Sequence, residues 1–172
     1  MGVLFGEQVS QMCVDYKERG LQLYSPRQVP RTTTDRVLHS ATHVAKNMVA
    51  SYLLATKPTD PFHTKAIELM HCFQDIRFKY THSVAEDGEA STVVAHVIHN
   101  HSFRRPNIIL YDEFFHINRR QQAITILHEC SHLYNGSSDQ AYFWDPLFAK
   151  LKEHQHLSNA DSIAGKMSNP YI

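Results

Sequence analysis

The sequence predicts an α+β domain in which helices pack on a small, mostly antiparallel sheet. Apolar residues recur at helical spacing after residue 33, alternate with polar residues in the middle of the chain, and return to helical spacing from residue 117. The 172 residues suit a single domain. Its N-terminal helices are expected over about 1–75, the sheet over about 76–115 and the remaining helices over about 117–172.

The first clear helix is expected over residues 33–56. Its apolar side chains follow the period of an α-helix, and a Thr or Asp near its start can cap it. These side chains are Val37, Leu38, Ala41, Val44, Ala45, Met48, Val49 and Tyr52. A second helix is expected from Pro61 to about Phe73, with Asp60 as its N-cap.

Three segments in the middle of the chain predict strands. Residues 75–82 alternate Ile76, Phe78 and Tyr80 with polar neighbours, as a half-buried strand does. Residues 91–99 and 105–115 also have the composition of strands, and residues 86–90 have that of a turn.

The third clear helix is expected over residues 117–136. Asn118 suits its N-cap, and Asn135-Gly136 is a strong C-terminal stop. A further helix is expected over about 140–154, with a break at Pro146, followed by a short helix that Asn159 caps.

Composition excludes several classes of protein. Lys+Arg and Asp+Glu both number 17, whereas a nucleic-acid-binding protein normally carries a basic surface. No apolar run approaches the roughly 20 residues that span a membrane, and the N-terminus does not have the pattern of a signal peptide. We therefore expect neither a nucleic-acid partner nor a membrane, and the chain either starts in the cytosol or is a domain of a longer polypeptide.

The third helix contains HECSH at residues 128–132, the H-E-x-x-H spacing of zinc metalloproteases. Residues four apart on a helix face the same way, so His128 and His132 can bind one zinc ion. Glu129 is displaced by about 100° and can act as general base towards water at the metal. A chance match is the alternative, but the position of the motif after the sheet and before a glycine turn argues against it.

A catalytic zinc usually has three protein ligands. The first carboxylate after the glycine turn is that of Asp139, seven residues past His132, whereas Glu153 lies further along in a charged stretch. Asp139 can complete the zinc site, or it can cap a helix that starts at Gln140.

The segment resembles the deuterolysin family of zinc endopeptidases, the aspzincins, in which the third ligand is an Asp within G-T-x-D-x-x-Y-G. GSSDQAYF matches this motif at Gly136, Asp139 and Tyr142, with a Ser in place of the Thr and Phe143 in place of the last Gly. IILYDEFF upstream and NADS at 159–162 are also similar to the family, so the resemblance covers roughly residues 105–165.

The resemblance implies a zincin-like fold with one Zn²⁺ per chain, bound by His128, His132 and Asp139. It implies Glu129 as the general base and Tyr142 as the donor that stabilises the oxyanion, although Tyr142 could also be an ordinary core aromatic.

Asp161 lies near the place where lysine-specific members of the family hold the substrate lysine. No second acid stands beside Asp161 here, so we expect only a partial preference for a basic residue after the cleaved bond. Alternatively, Asp161 orients a metal ligand or lies in the first turn of a helix.

The expected activity is that of a zinc-dependent endopeptidase acting on a protein or peptide. The N-terminus and the few cysteines are unlike secreted fungal members and fit better an effector or toxin domain that a specialised bacterial secretion system delivers. An inhibitor or immunity protein is then an expected partner. Two alternatives stay open: a non-catalytic zinc-binding interaction domain, and a zinc amide hydrolase acting on cell wall or another non-protein substrate.

The remaining histidines and cysteines are interpreted as ordinary residues. The histidine groups at 39 and 43, at 96, 99 and 101, and at 154 and 156 fit polar surface, because no acidic motif accompanies them. The three cysteines are expected to be free thiols, with a Cys13–Cys72 bridge as the alternative and Cys130 as a small buried residue of its helix.

Overall fold

The computed structural model describes residues 31–80, 94–98 and 107–169. The turn expected over 86–90, as well as His99, His101 and Cys13, lies outside these ranges. The elements in chain order are helices α1 (Arg31–Ala55) and α2 (His63–Asp75), strands β1 (Arg77–Tyr80), β2 (Ala95–Ile98) and β3 (Asn107–Leu110), and helices α3 (Arg119–Tyr134), α4 (Glu153–His156) and α5 (Ala160–Ser168). Among these helices, none is both long and apolar enough to cross a bilayer.

Helix α1 confirms the expected first helix and most of its apolar stripe. Ala41, Ala45, Val49 and Tyr52 are buried in the core, and the other members of the stripe are partly buried against it. This stripe packs α1 on α2, α3 and α5.

Helix α2 begins at His63, and Phe62 rather than Asp60 occupies its N-cap position. The Asp60 carboxylate accepts hydrogen bonds from the Phe62 backbone N–H and from the Tyr52 hydroxyl, both at 2.8 Å. The prediction that Asp60 is the N-cap is therefore wrong by two residues, and the side chain instead joins the end of α1 to the start of α2.

The sheet has the strand order β1-β3-β2. Strand β2 pairs with β3 antiparallel, with Ala95 opposite Leu110, but β1 pairs with β3 parallel, with Arg77 opposite Asn107. The expectation of a mostly antiparallel sheet is not borne out, because β1 skips its neighbour in sequence and pairs with β3. A parallel pair needs a crossover connection, and the alternation within one strand carries no information about it.

Strand β3 is central in the sheet and its residues 108–110 are all buried. The strand expected over 105–115 is shorter than predicted within the described residues, because Asp112–Phe115 form a 3-10 turn that leads into α3.

Helix α3 forms the middle of the molecule and confirms the third expected helix. The Asn118 side chain accepts a hydrogen bond from the Gln121 backbone N–H, and the Gln121 side chain accepts one from the Asn118 N–H. This capping box fixes the start of the helix. Its residues 121–131 are all buried, and it contacts α1, α2, α5 and β2.

The helix expected over 140–154 is wrong for most of its length. Residues 140–147 form turns, and only Phe148–Lys150 and Glu153–His156 are helical. The Ala141 carbonyl accepts from Asn159 Nδ2, and the Asp145 N–H that would bond to this carbonyl in a helix donates to the Tyr142 carbonyl instead. Helix α5 then begins at Ala160 as expected, although Asn159 makes no side-chain cap to it.

Candidate metal centre

Three side-chain atoms converge beside the C-terminal half of helix α3. The Nε2 atoms of His128 and His132 are 3.2 Å apart, and they lie 3.1 and 3.2 Å from Asp139 Oδ1. Donors at 2.0–2.1 Å from a tetrahedral zinc ion lie about 3.3 Å from one another. The three residues therefore fit a zinc ion that keeps a fourth position open. Within the described residues, this is the one group of three or more His, Cys, Asp or Glu side chains that could hold a metal.

Each imidazole is held in the tautomer that metal binding requires. His128 Nδ1 donates to Asp161 Oδ1 at 2.7 Å, and His132 Nδ1 donates to the Ser137 carbonyl at 2.9 Å. Because a carboxylate and a carbonyl can only accept, both Nδ1 atoms carry a proton, and the Nε2 atoms are the ones that can bind the metal.

The loop that carries Asp139 is shaped at its start by Gly136. This residue has a φ of 59°, which glycine adopts without the strain that a side chain would bring. The chain turns back here, so that the Ser137 hydroxyl lies 2.7 Å from the hydroxyl of Ser131 on α3. The reversal brings Asp139 over the C-terminal turn of the motif helix.

Asn159 holds the same loop from the other side. Its Oδ1 accepts from the N–H groups of Gln140 and Ala141, and its Nδ2 donates to the Ala141 carbonyl at 2.9 Å. Ser138 also pairs with Asn159 as an isolated parallel bridge. Asn159 is fully buried, so these bonds fix the backbone on both sides of Asp139. Asp139 is a convergent donor here and not the N-cap of a helix, since no helix begins at Gln140.

The electrostatics of the site favour bound positive charge. Burial by itself lowers the pKa of His128, but hydrogen bonds to Asp139 and Asp161 outweigh it and raise that pKa to about 10. The pKa of His132 is also raised, and although burial alone raises the pKa of Asp139, the two histidines bring it well below its usual value. A divalent cation at these donors would take the place of these protons, so its binding would release protons.

Glu129 lies beside the three donors without joining them. The side chain is buried, and its Oε2 has no hydrogen-bond partner. Burial raises the pKa of this carboxyl, although the two histidines oppose the rise. A buried carboxylate oxygen without a partner is costly, and it is the group expected of a base that exchanges protons with water or substrate.

Tyr142 stands on the solvent side of the centre. Its ring is nearly parallel to that of His128, with an angle of 10° and centroids 6.4 Å apart. Burial and the neighbouring Asp139 carboxylate raise the pKa of the phenol to about 12, so it stays protonated and able to donate near neutral pH. The alternative of an ordinary core aromatic does not fit, because 36% of the residue is exposed.

Asp161 does not lie where a substrate side chain could reach it. Only 1% of the residue is exposed, one carboxylate oxygen accepts from His128, and the other accepts from the Phe143 backbone N–H at 3.1 Å. The prediction of a substrate contact is corrected on this ground. The geometry matches the alternative, in which Asp161 orients a metal ligand.

Sequence reasoning missed two residues of the site. Asn159 was expected only as a helix cap, although it belongs to the NADS segment that carried the resemblance. Trp144 was not singled out, yet its ring stacks on that of Tyr142 with centroids 4.5 Å apart. Its proximity along the chain to Tyr142, a residue of the matched motif, was the available signal, but the expected helix over 140–154 would have placed the two rings apart.

In the described part of the chain, no other histidine or cysteine joins the metal group. His39 and His43 are exposed, as expected. His156 is not simply solvated, since its Nδ1 lies 2.8 Å from the Ser162 hydroxyl and its ring meets Phe148 edge-on. Cys72 and Cys130 are free, buried thiols.

Three comparisons with known proteins were made, and one of them found a similar structure. No protein-family model matches the sequence, and no curated protein matches it. The structure is similar to that of a zinc peptidase from Grifola frondosa. The TM-score is 0.58 at 20% sequence identity, and the match covers 81% of this chain and 97% of that chain. The likeness confirms the fold that the sequence resemblance implied.

Proposed function

We infer that the chain is a zinc-dependent endopeptidase of the type whose third metal ligand is an aspartate. The observation that carries the inference is the convergence of His128, His132 and Asp139 at zinc-ligand spacing, with both imidazoles fixed in the correct tautomer. A non-catalytic zinc site would need neither a buried carboxylate with an unsatisfied oxygen beside the metal nor a phenol above it.

A zinc ion bound by these residues would make a water molecule acidic enough to react near neutral pH and would polarise a substrate carbonyl. Glu129 takes the proton from the attacking water and returns it to the leaving amine. Its raised pKa brings the carboxyl closer to neutral pH, which suits a group that must both accept and release a proton.

Tyr142 donates a hydrogen bond to the oxyanion that forms on the substrate carbonyl. Its phenol neighbours Asp139 and stays protonated, so it offers the donor without a change of charge. Asp161 and the Ser137 carbonyl hold the two imidazoles in place while the substrate is turned over.

Digestion of an unfolded protein, with mass analysis of the products, tests this proposal. Zinc-loaded wild type is expected to generate new peptide termini. Glu129→Gln at the same zinc content should give none above background, because the isosteric amide keeps the shape of the site and lacks the base. Equal cleavage by the two proteins would contradict the assigned role, and absence of cleavage by wild type would count against a general endopeptidase. The effector or toxin role and the inhibitor or immunity partner stay predictions from the sequence.

A further inference from the structure

Two large aromatic side chains are exposed next to the metal centre. The Trp144 ring lies on the Tyr142 ring at an angle of 13°, and the Tyr142 ring is in turn nearly parallel to that of the ligand His128. The three rings form a series that leads from the metal to the surface. Trp144 is 41% exposed at the outer end of this series, although large aromatic residues are usually mostly buried.

Three of the five exposed large hydrophobic residues in the described part of the chain lie in this one turn. In the described part of the chain, Leu54, Ile67, Tyr142, Trp144 and Leu147 are the exposed large hydrophobic residues, and the last three fall within six positions of one another. Single exposed apolar residues need no explanation, but a cluster beside a catalytic centre indicates a binding surface.

The turn that carries Trp144 is held firmly in place. The Asp145 N–H donates to the Tyr142 carbonyl at 2.9 Å, and the Phe143 N–H donates to the buried Asp161 carboxylate. The Phe143 ring packs inwards against Gly165, so the neighbouring Trp144 points outwards. A ring that is already fixed loses little conformational freedom when a ligand stacks on it.

From this arrangement we propose that Trp144 is a specificity-determining residue, which binds an aromatic side chain of the substrate close to the bond that is cleaved. The inference rests on the proposed function, since it takes the ligand to be a peptide. A second aromatic ring stacks on the exposed face of the indole, and Tyr142 supports the indole from behind. This contact replaces the basic preference expected from Asp161, which is buried and already bonded.

Binding of three peptide hydroxamates tests the proposal without requiring hydrolysis. The probes share one backbone and a zinc-binding hydroxamate, and they differ only in a side chain next to it, which is Phe, Lys or Ala. Trp144 is the sole tryptophan of the chain, so its fluorescence reports directly on a ligand that stacks there. Zinc-loaded Glu129→Gln is used, so that turnover plays no part.

The Phe probe is expected to bind about 5- to 10-fold more tightly than the Ala probe, the usual gain of an aromatic pair, and to change the fluorescence more. Trp144→Ala, added to the Glu129→Gln background, should bring the Phe-to-Ala ratio close to one, while Trp144→Phe should keep most of it. Leu54→Ala, which removes an exposed apolar side chain of α1, serves as the matched control and should leave the ratio unchanged.

The ratio separates recognition from support of the fold, because a structural effect of Trp144→Ala would weaken the Phe and Ala probes equally. An unchanged ratio in Trp144→Ala, or tighter binding of the Lys probe than of the Phe probe, would overturn the proposal. If Trp144→Ala does not fold, the fluorescence response of the Trp144-containing protein decides: equal responses to the Phe and Ala probes would also overturn it. If the Phe probe binds selectively but the wild-type protein cleaves no protein, the aromatic subsite is supported and the endopeptidase activity is refuted.

Discussion

Asp161 shows at the scale of one residue how the site depends on groups that do not touch the metal. Its carboxylate fixes the tautomer of His128 and at the same time holds the Phe143 N–H in the loop that follows Asp139. One side chain thus orients one predicted ligand directly and steadies the segment that contains another. The sequence named this residue and offered orientation of a metal ligand as one alternative for it, but the choice against a substrate contact needed the fold, because burial and partners depend on it.

We expect Asp161→Ala to lower zinc affinity about 10- to 100-fold, the usual effect of removing a carboxylate behind a metal-bound histidine. Asp161→Asn should lose less, since its amide oxygen can still accept from His128. Competition with a zinc-binding dye measures both. The control is Asp145→Ala, which removes another carboxylate of the same loop. Among the described contacts, this carboxylate accepts only from the Leu147 N–H, so the variant should keep the zinc affinity of wild type. Equal affinities in Asp161→Ala and Asp145→Ala would show that Asp161 does not support the metal.

Tyr142→Phe is expected to keep zinc and fold while losing on the order of a hundredfold in kcat, the cost of one oxyanion donor. The ring stacking on Trp144 survives this change, and only the hydroxyl is lost. Steady-state kinetics on a cleavable peptide provide the measurement, and Tyr134→Phe, at the end of α3 where the ring packs against the core, is the control. A kcat of Tyr142→Phe near that of wild type would show that the Tyr142 hydroxyl does not stabilise the oxyanion.

At the scale of elements, the sequence patterns correctly predicted those helices that are stabilised by interactions between residues close together in the chain. Helix α3 has its period, its capping box and its glycine stop within its own sequence, and it was predicted within two residues at each end. The helix predicted over 140–147 does not form because the Ala141 carbonyl accepts from Asn159, 18 positions away along the chain, and is not available to a helical hydrogen bond. The parallel pairing of β1 with β3 also joins residues distant along the chain, and it was missed for that reason.

The contact between helix α5 and the loop gives an element-scale prediction. A Cβ at Gly165 would lie 2.2 Å from Cζ of Phe143, whose ring also packs on Phe148 with centroids 4.6 Å apart. Gly165→Ala should therefore destabilise the fold by about 1–3 kcal/mol through overpacking, which outweighs a gain in helix propensity of at most about 1 kcal/mol.

Denaturant unfolding of the zinc-loaded protein measures this effect. Phe143→Leu combined with Gly165→Ala should recover part of the loss, as coupled neighbours do. The control Lys46→Ala changes an exposed position of helix α1 and should remain within about 0.5 kcal/mol of wild type. A fully additive double variant would show that the Phe143 ring does not limit the space at Gly165.

At the scale of the whole molecule, a metal bound by the three donors would join helix α3 to the loop that α5 holds. Zinc binding should therefore stabilise the folded chain, since the three donors converge only in the native state. Protons compete for the same atoms: the pKa of His128 is raised to about 10 and that of His132 is also raised. A raised folded-state pKa stabilises the metal-free protein fully below about pH 6.5, the ordinary value, and this contribution is lost as the pH rises towards 10.

The stabilisation by zinc is therefore expected to increase with pH. Throughout this range the ion must displace the proton of His128, and binding that releases a proton becomes stronger as the pH rises, while the metal-free reference becomes less stable. Thermal unfolding of zinc-loaded and chelator-treated protein between pH 6 and 8.5 gives the difference in Tm at each pH. A difference that stays constant or shrinks over this range would show that these imidazoles are not the ligands.

Metal analysis of three proteins tests the central claim most directly. Wild type and Glu129→Gln should each contain one zinc per chain after dialysis against a weak chelator, because Glu129 lies beside the three donors and is not one of them. Asp139→Ala should lose most of its zinc, since two imidazoles remain where three converging donors stood. Full zinc occupancy in Asp139→Ala would contradict the account, because the third ligand, and with it the geometry on which the proposed peptidase rests, would have to lie elsewhere.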